Sequence, residues 1–341
     1  MVSRATRTRR RGPNTRVRNE TIVAYLFLSP YLLVTAVFTV GIIAFALYIS
    51  FTSYNLFESP TWVGLDNYRR ALGDTGGFLR SLGNIVLYVV IVVPLQTGIA
   101  LMLASILNKP VRGQKFFRTV FYGPSVTSSV VIASIFLWLY LKTGIINYLF
   151  DQTFSLFGAQ WTAIEWLNDP RGLFQLIANA FGGDIASEQW YFRGPSVTWL
   201  AVMALNIFTT APTFMIIYLA ALQDVPPPLH EAAAIDGANR WQQFWYITLP
   251  MLRPVTLLIV VLGTIGAFQV FDQVQFLTAG GPLNTTLTPV YLVYGEALGV
   301  LGGGSVIRMG LASAMAFLLA VIIFIFTFIQ RRYIESGTER Y

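Results

Sequence analysis

The chain contains no cysteine, and His230 is its single histidine. Disulfides, thiolate metal centres and cysteine nucleophiles are therefore excluded, and one imidazole does not make a metal site. Charge is scarce too: 11% of the residues are Asp, Glu, Lys or Arg, against about 25% in an ordinary soluble domain. No Gly-Lys dipeptide occurs, so a Walker A loop, whose lysine must follow the glycine-rich turn, has no place to form. Gly-x-Ser-x-Gly is missing as well. A membrane enzyme built on a metal cluster, a serine elbow or a histidine dyad is thus left without its parts.

What the chain has instead is apolar length. Of its 341 residues 55% are hydrophobic, and charge-free windows run over Thr21–Phe57, Ser81–Asn108, Thr119–Leu141, Gly194–Gln223, Pro254–Phe271 and Met309–Gln330. A helix needs about 20 apolar residues to cross about 30 Å of hydrocarbon. The spans are placed at about 23–50, 84–107, 119–141, 197–222, 254–277 and 309–330, the fifth running past Asp272. In lipid every backbone group must find its partner within the segment, so each span reads as a helix. The fold class expected is an all-α integral membrane protein with six transmembrane helices. The first apolar run is too long for a cleaved signal peptide and is read as a retained helix.

Positive residues set the orientation. Seven arginines (4, 7, 9, 10, 11, 16 and 18) precede the first span. Lys109, Arg112, Lys115 and Arg118 fill the turn after the second, and Arg331–Arg332 follow the sixth. The segment 142–196 is acidic on balance. Both termini are expected in the cytoplasm. Residues 1–20 read as a disordered basic tail, 21–334 as the membrane domain with an external loop at 142–196 and a cytoplasmic connector at 224–253, and 335–341 as a second tail. The basic tail is read as a topology signal and not as a nucleic-acid binder. A short helix is expected near 171–181.

The connector holds the most informative stretch, EAAAIDGANRWQQFWYITLP at 231–250. Pro226–Pro228 suit a helix start, where the missing N–H is not needed. Glu231–Asp236 then reads as a short helix with a low alanine surface, ended by Gly237 as a C-cap. Ala238–Leu249 reads as a second helix that places Trp241, Phe244, Trp245 and Thr248 on one face, with Pro250 stopping it. One reading is an amphipathic connector resting on lipid. Its polar side is not rich in Lys or Arg, however, and the alanine-smooth helix suits close docking into a protein groove.

Glu231–Ala232–Ala233, then Gly237, Ile247, Leu249 and Pro250 resemble the EAA signature of permease subunits of ATP-binding-cassette importers. VGLDNY at 63–68, FD…LTAGGP at 271–282 and GLASA at 310–314 resemble the carbohydrate branch, in particular the larger permease of maltose-type transporters. The resemblance runs from about residue 20 to the C-terminus and implies a type I importer permease fold. It implies that Glu231, Ala232, Ala233, Asp236, Gly237, Leu249 and Pro250 form a coupling elbow held in a cleft of a separate ATPase. It further implies a second permease forming a heterodimer with this chain, two ATPase copies that carry the ATP and Mg, an extracellular or periplasmic solute-binding protein, and a sugar as cargo. No cofactor is expected on this chain, and no catalytic residue.

By the same resemblance Ser125, Ser129, Asn206, Thr209, Thr210, Thr213 and Asp272 match sugar-contacting positions, and Gln273 joins them. The residues themselves agree in character: Asn206, Thr209/Thr210 and Thr213 recur with helical spacing, and an acid inside a span tends to face a wet cavity. The opposing reading is that Ser and Thr bond back to their own helix or join helices, and that Asp272 caps a helix end or pairs with Arg308. Alternatives for the whole are glycerol-3-phosphate or polyol uptake by the same machinery, and a stand-alone secondary transporter. The latter usually shows an internal repeat or more buried ionisable groups.

Overall fold

The computed structural model describes residues 15–73, 77–109, 112–180, 194–300 and 306–335. Residues 181–193 of the segment expected as an external loop, and both tail ends, lie outside them. The first span is α1 (Thr15–Val34), a π-helical stretch (Thr35–Gly41) and α2 (Ile42–Ser50). Helix α1 thus begins inside the stretch read as a disordered tail. Large apolar side chains cover this span on all sides, Phe27 being 80% exposed and Phe38 64%, as fits a helix whose surroundings are lipid. A two-strand hairpin of β1 (Thr52–Ser53) and β2 (Thr61–Trp62) and helix α3 (Asp66–Leu72) follow.

Next come α4 (Phe78–Leu107), α5 (Gln114–Val126), α6 (Ser129–Leu139), α7 (Ile145–Leu156), α8 (Leu173–Ala180) and α9 (Val197–Gln223). The connector carries α10 (Pro227–Ile235), α11 (Arg240–Gln243), a π turn (Phe244–Thr248) and α12 (Leu249–Met251). The chain closes with α13 (Arg253–Phe268), α14 (Asp272–Leu277), α15 (Pro289–Leu298) and α16 (Met309–Glu335). The first span, α4, α9 and α16 are each long and apolar enough to cross a membrane, and two bent pairs bring the total to six if each pair is one span.

Two sequence expectations are corrected by these elements. The third span is not one continuous helix over 119–141: α5 and α6 meet at 98° across Thr127–Ser128, where both residues take extended ψ values of 143° and 135°. Hydroxyl side chains that bond locally compete with the helix ladder, and this pair sits in a run of them. The fifth span does not continue to Leu277 either. Helix α13 ends at Phe268, and the chain turns before α14 begins at Asp272. Val270 is buried in that turn, and its carbonyl accepts from Thr288 Oγ1 at 3.2 Å.

Two apolar clusters hold the helices together. Ala100, Ala104, Met215, Tyr218 and Ile259 pack at the connector end, joining α4, α9 and α13. Tyr88, Trp199, Phe268 and Met315 anchor the other half, with the Tyr88 and Trp199 ring centroids 4.7 Å apart. Asn84 ties that half to the loop 278–288. Its Nδ2 donates to the carbonyls of Asn284 and Leu287, both at 3.0 Å. Ala279, Leu283 and Asn284 all hold positive φ, a conformation that costs about 1–3 kcal/mol per residue and persists only under such restraint. Asn84→Ala is expected to destabilise the protein by about 1–3 kcal/mol, read as an earlier thermal melt in detergent with loop 278–288 the first region to exchange its amide protons.

Candidate functional site

The hydroxyl residues singled out in the sequence converge where the two broken spans meet. A cavity of about 300 Å³ is lined by Ser125, Thr127 and Ser129 from the α5–α6 bend, by Thr209, Thr210 and Thr213 from α9, and by Gln273 from α14, with Pro124, Ile132, Leu205 and Phe214 as its apolar wall. The i, i+1 and i+4 spacing of the three threonines on α9 brings them to one side. Asp272 joins through Ser129, whose Oγ donates to Asp272 Oδ2 at 2.5 Å. That bond links α6 to α14. Asn206 is buried off the wall, and its carbonyl accepts from Thr209 and Thr210 at 3.0 and 2.8 Å.

Two partners were not legible in the sequence. Gln96, 2% exposed on α4, accepts from Thr210 Oγ1 at 2.8 Å and so fixes that hydroxyl at the edge of the cavity. Its only signal is being an amide in a charge-free window, which Asn84 and Asn108 share. Arg308 does not pair with Asp272. It faces Glu296 on α15 at 3.4 Å, because the turn after α14 carries the chain away before α15 returns.

The connector is an elbow. Helix α10 starts on Pro227 and stops through two crossed bonds, Ala238 N to Ala233 O at 2.9 Å and Gly237 N to Ala234 O at 3.1 Å. This is a Schellman closure, which requires the left-handed conformation at Gly237, where φ is +84°. Helix α11 opens on a capping box between Asn239 and Gln242, both bonds 2.8 Å. Gln243 staples the halves: its Nε2 donates to Ala238 O at 3.0 Å, and its Oε1 lies 3.3 Å from His230 Nδ1.

Glu231, Ala232, Asp236 and Gly237 are exposed on the elbow and Ala233 is half-buried. Trp241, Phe244 and Trp245 contact one another on the second arm, with Trp241 and Trp245 at 5.7 Å and 71°. Leu249 and Pro250 are half-buried beneath it. Pro250 does not end the arm. The helix passes through it to Met251, then bends by 66° into α13. The π turn just before shifts the hydrogen-bond ladder, so the missing proline N–H falls at a register change. Sequence reasoning also overlooked Ile235, which stands 88% exposed at the tip beside the glycine. Behind the elbow a hollow of about 1080 Å³ separates the second arm from the end of α4.

Residues 96–336 match the family model described as "Binding-protein-dependent transport system inner membrane component". A probable ABC transporter permease protein of Bacillus subtilis is 34% identical over 92% of this chain and 90% of its own length. The arabinooligosaccharides transport system permease protein of Halalkalibacterium halodurans is 31% identical over 92% of this chain and 87% of its own. Among solved structures, a bacterial ABC transporter involved in the import of the acidic polysaccharide alginate superposes with a TM-score of 0.71 at 20% identity, covering 94% of this chain and 98% of that one. At that identity the match shows the type I permease fold alone. A helical chain that matches the family model over residues 96–336, it belongs to the inner-membrane components of binding-protein-dependent transport systems, the permease subunits of ABC importers.

Proposed function

We propose that this permease carries a saccharide, delivered by an extracellular or periplasmic binding protein, through a path that includes the hydroxyl-lined cavity. A second, different permease completes the path, and two copies of an ABC ATPase, with ATP and Mg, drive it through the elbow. Both termini and the elbow lie in the cytoplasm, as the basic residues before α1 and between α4 and α5 suggest.

The observation that carries the reading is the cavity itself. Hydroxyls of Ser125, Ser129, Thr209, Thr210 and Thr213 and the amide of Gln273 meet Phe214 and Leu205 in one small space. Sugars present hydroxyls and C–H faces together, and such a wall answers both. The name of the arabinooligosaccharide relative supports a glycan as cargo.

The test is uptake by proteoliposomes holding both permeases and the ATPase, with the binding protein outside. ATP inside should drive accumulation of one sugar class, and this chain alone should accumulate nothing. Uphill uptake by the chain alone, or uptake abolished by a proton uncoupler but indifferent to ATP, would overturn the proposal. In the working assembly Thr210→Val leaves the buried Gln96 carbonyl without its donor, at a cost of about 1–2 kcal/mol. Uptake is expected to fall about tenfold, with unchanged amounts of complex in the membrane.

A further inference from the structure

We infer that the cavity admits uncharged, hydrogen-bond-donating cargo and turns away cargo bearing phosphate or carboxylate. The inference rests on the carbohydrate reading and narrows it.

Two independent features lead there. The first is where the hydroxyl protons go. Ser125 Oγ donates to the Tyr122 carbonyl at 2.8 Å and Thr127 Oγ1 to the Gly123 carbonyl at 2.9 Å. Thr209 Oγ1 donates to the Asn206 carbonyl at 3.0 Å, and Thr210 Oγ1 is taken by Gln96 Oε1 and the Asn206 carbonyl, both at 2.8 Å. Ser129 gives its proton to Asp272. A hydroxyl has one proton to give, so each of these oxygens faces the cavity with lone pairs only. Such back-bonding weakens the case for any single hydroxyl as a general sugar contact. Taken together it makes the wall a set of acceptors. Cargo hydroxyls, which donate, are matched to it. Phosphate and carboxylate oxygens accept only, and would meet lone pairs. The Gln273 amide and the Thr213 hydroxyl can still donate, which suffices for the ring and glycosidic oxygens of a neutral sugar.

The second feature is charge. Neither Lys nor Arg is among the described residues lining the cavity, and the acid beside it, Asp272, has Ser129 as its partner. The cation that sequence reasoning offered for Asp272, Arg308, is engaged by Glu296. At an effective dielectric of about 20, two like charges about 6 Å apart disfavour each other by roughly a hundredfold in binding.

The experiment measures equilibrium binding to the complete transporter in nanodiscs, without the binding protein, so that the selectivity read is the permease's own. The probes are radiolabelled neutral trisaccharides of arabinose, glucose and galactose, each set against the same trisaccharide carrying one terminal carboxylate. For whichever neutral probe binds, the acidic counterpart is expected to bind roughly a thousandfold more weakly, about a hundredfold of it from Asp272 and about tenfold from the acceptor wall. Asp272→Asn, which keeps an acceptor for Ser129, should narrow that gap to about tenfold, the remainder being the acceptor wall. Gln273→Glu, which adds a second carboxylate, should widen it, and decides the matter if Asp272→Asn does not assemble. Equal binding of the neutral and acidic members, or a gap that neither substitution moves, overturns the inference while leaving the carbohydrate reading in place. Binding of no trisaccharide of either charge defeats that reading, and the inference falls with it.

Discussion

Replacing Gly310 with alanine is expected to leave little folded protein in the membrane. In an open helix the same change would gain about 1 kcal/mol of helix propensity. Here a Cβ on Gly310 would overlap the carbonyl oxygen of Thr52 and come within 3.0 Å of Asn67 Nδ2. Neither neighbour is free to yield. The Thr52 carbonyl accepts from Asn67 Nδ2 at 2.8 Å, and the same amide donates to the Ser50 carbonyl at 2.9 Å, with Thr52, Asn67 and Ser50 all buried. Overpacking costs about 1–3 kcal/mol, and displacing a buried carbonyl from its donor about 1–3 kcal/mol more. Together these approach the about 5–15 kcal/mol by which whole proteins are stable. The measurement is the yield of monodisperse protein after detergent extraction. Ala314→Gly, one turn further along α16, serves as the comparison and should retain most of it. A full yield for Gly310→Ala would mean that the hairpin is not held against α16 as described.

That contact shows what the sequence could and could not tell. VGLDNY and GLASA were recognisable as separate pieces of a resemblance, some 240 residues apart. Their meeting, Asn67 of one beside Gly310 of the other, is a tertiary fact with no local trace. The spans were legible because lipid imposes a rule on composition: charge-free windows longer than about 20 residues have few alternatives. The elbow was legible in outline because caps and glycine stops are local chemistry. Its π turn was not, since a ladder shift depends on how the arm rests on α13.

The two breaks divide the same way. Thr127–Ser128 lies in a hydroxyl-rich run whose side chains compete with the helix ladder, a local chemistry that the reading of 119–141 as one helix passed over. Gln269–Val270–Phe271 contains neither glycine nor proline, and the burial of Val270 and its bond from Thr288 are tertiary contacts that no local window shows. Helical spacing brought Thr209, Thr210 and Thr213 to one face in advance. That Gln96 would claim one of those hydroxyls from 114 residues away could not be read from any window.

Gly237→Asp is expected to abolish coupled uptake while leaving the permease folded and in the membrane. In the fold the substitution is mild. Aspartate tolerates the left-handed conformation better than most residues, at about 1 kcal/mol, and a Cβ at Gly237 finds nothing within 4 Å. The side chain would project from the tip of the elbow next to Ile235, 88% exposed, and the alanine face. If a groove of the ATPase receives that tip, burying Ile235 there contributes about 1.5–3 kcal/mol, and a carboxylate forced alongside costs several times as much unless paired. Uptake should then drop by at least about a hundredfold, with any remaining ATP hydrolysis no longer stimulated by loaded binding protein. Gly237→Ala bears the backbone strain without the charge and should lose far less. Ile235→Asp, which leaves Gly237 and its turn intact, should match Gly237→Asp. Backbone strain alone would make Gly237→Ala and Gly237→Asp equally defective and spare Ile235→Asp; lost docking orders the three by charge at the tip. Wild-type uptake in Gly237→Asp, at equal protein in the membrane, would show that this knuckle transmits no force.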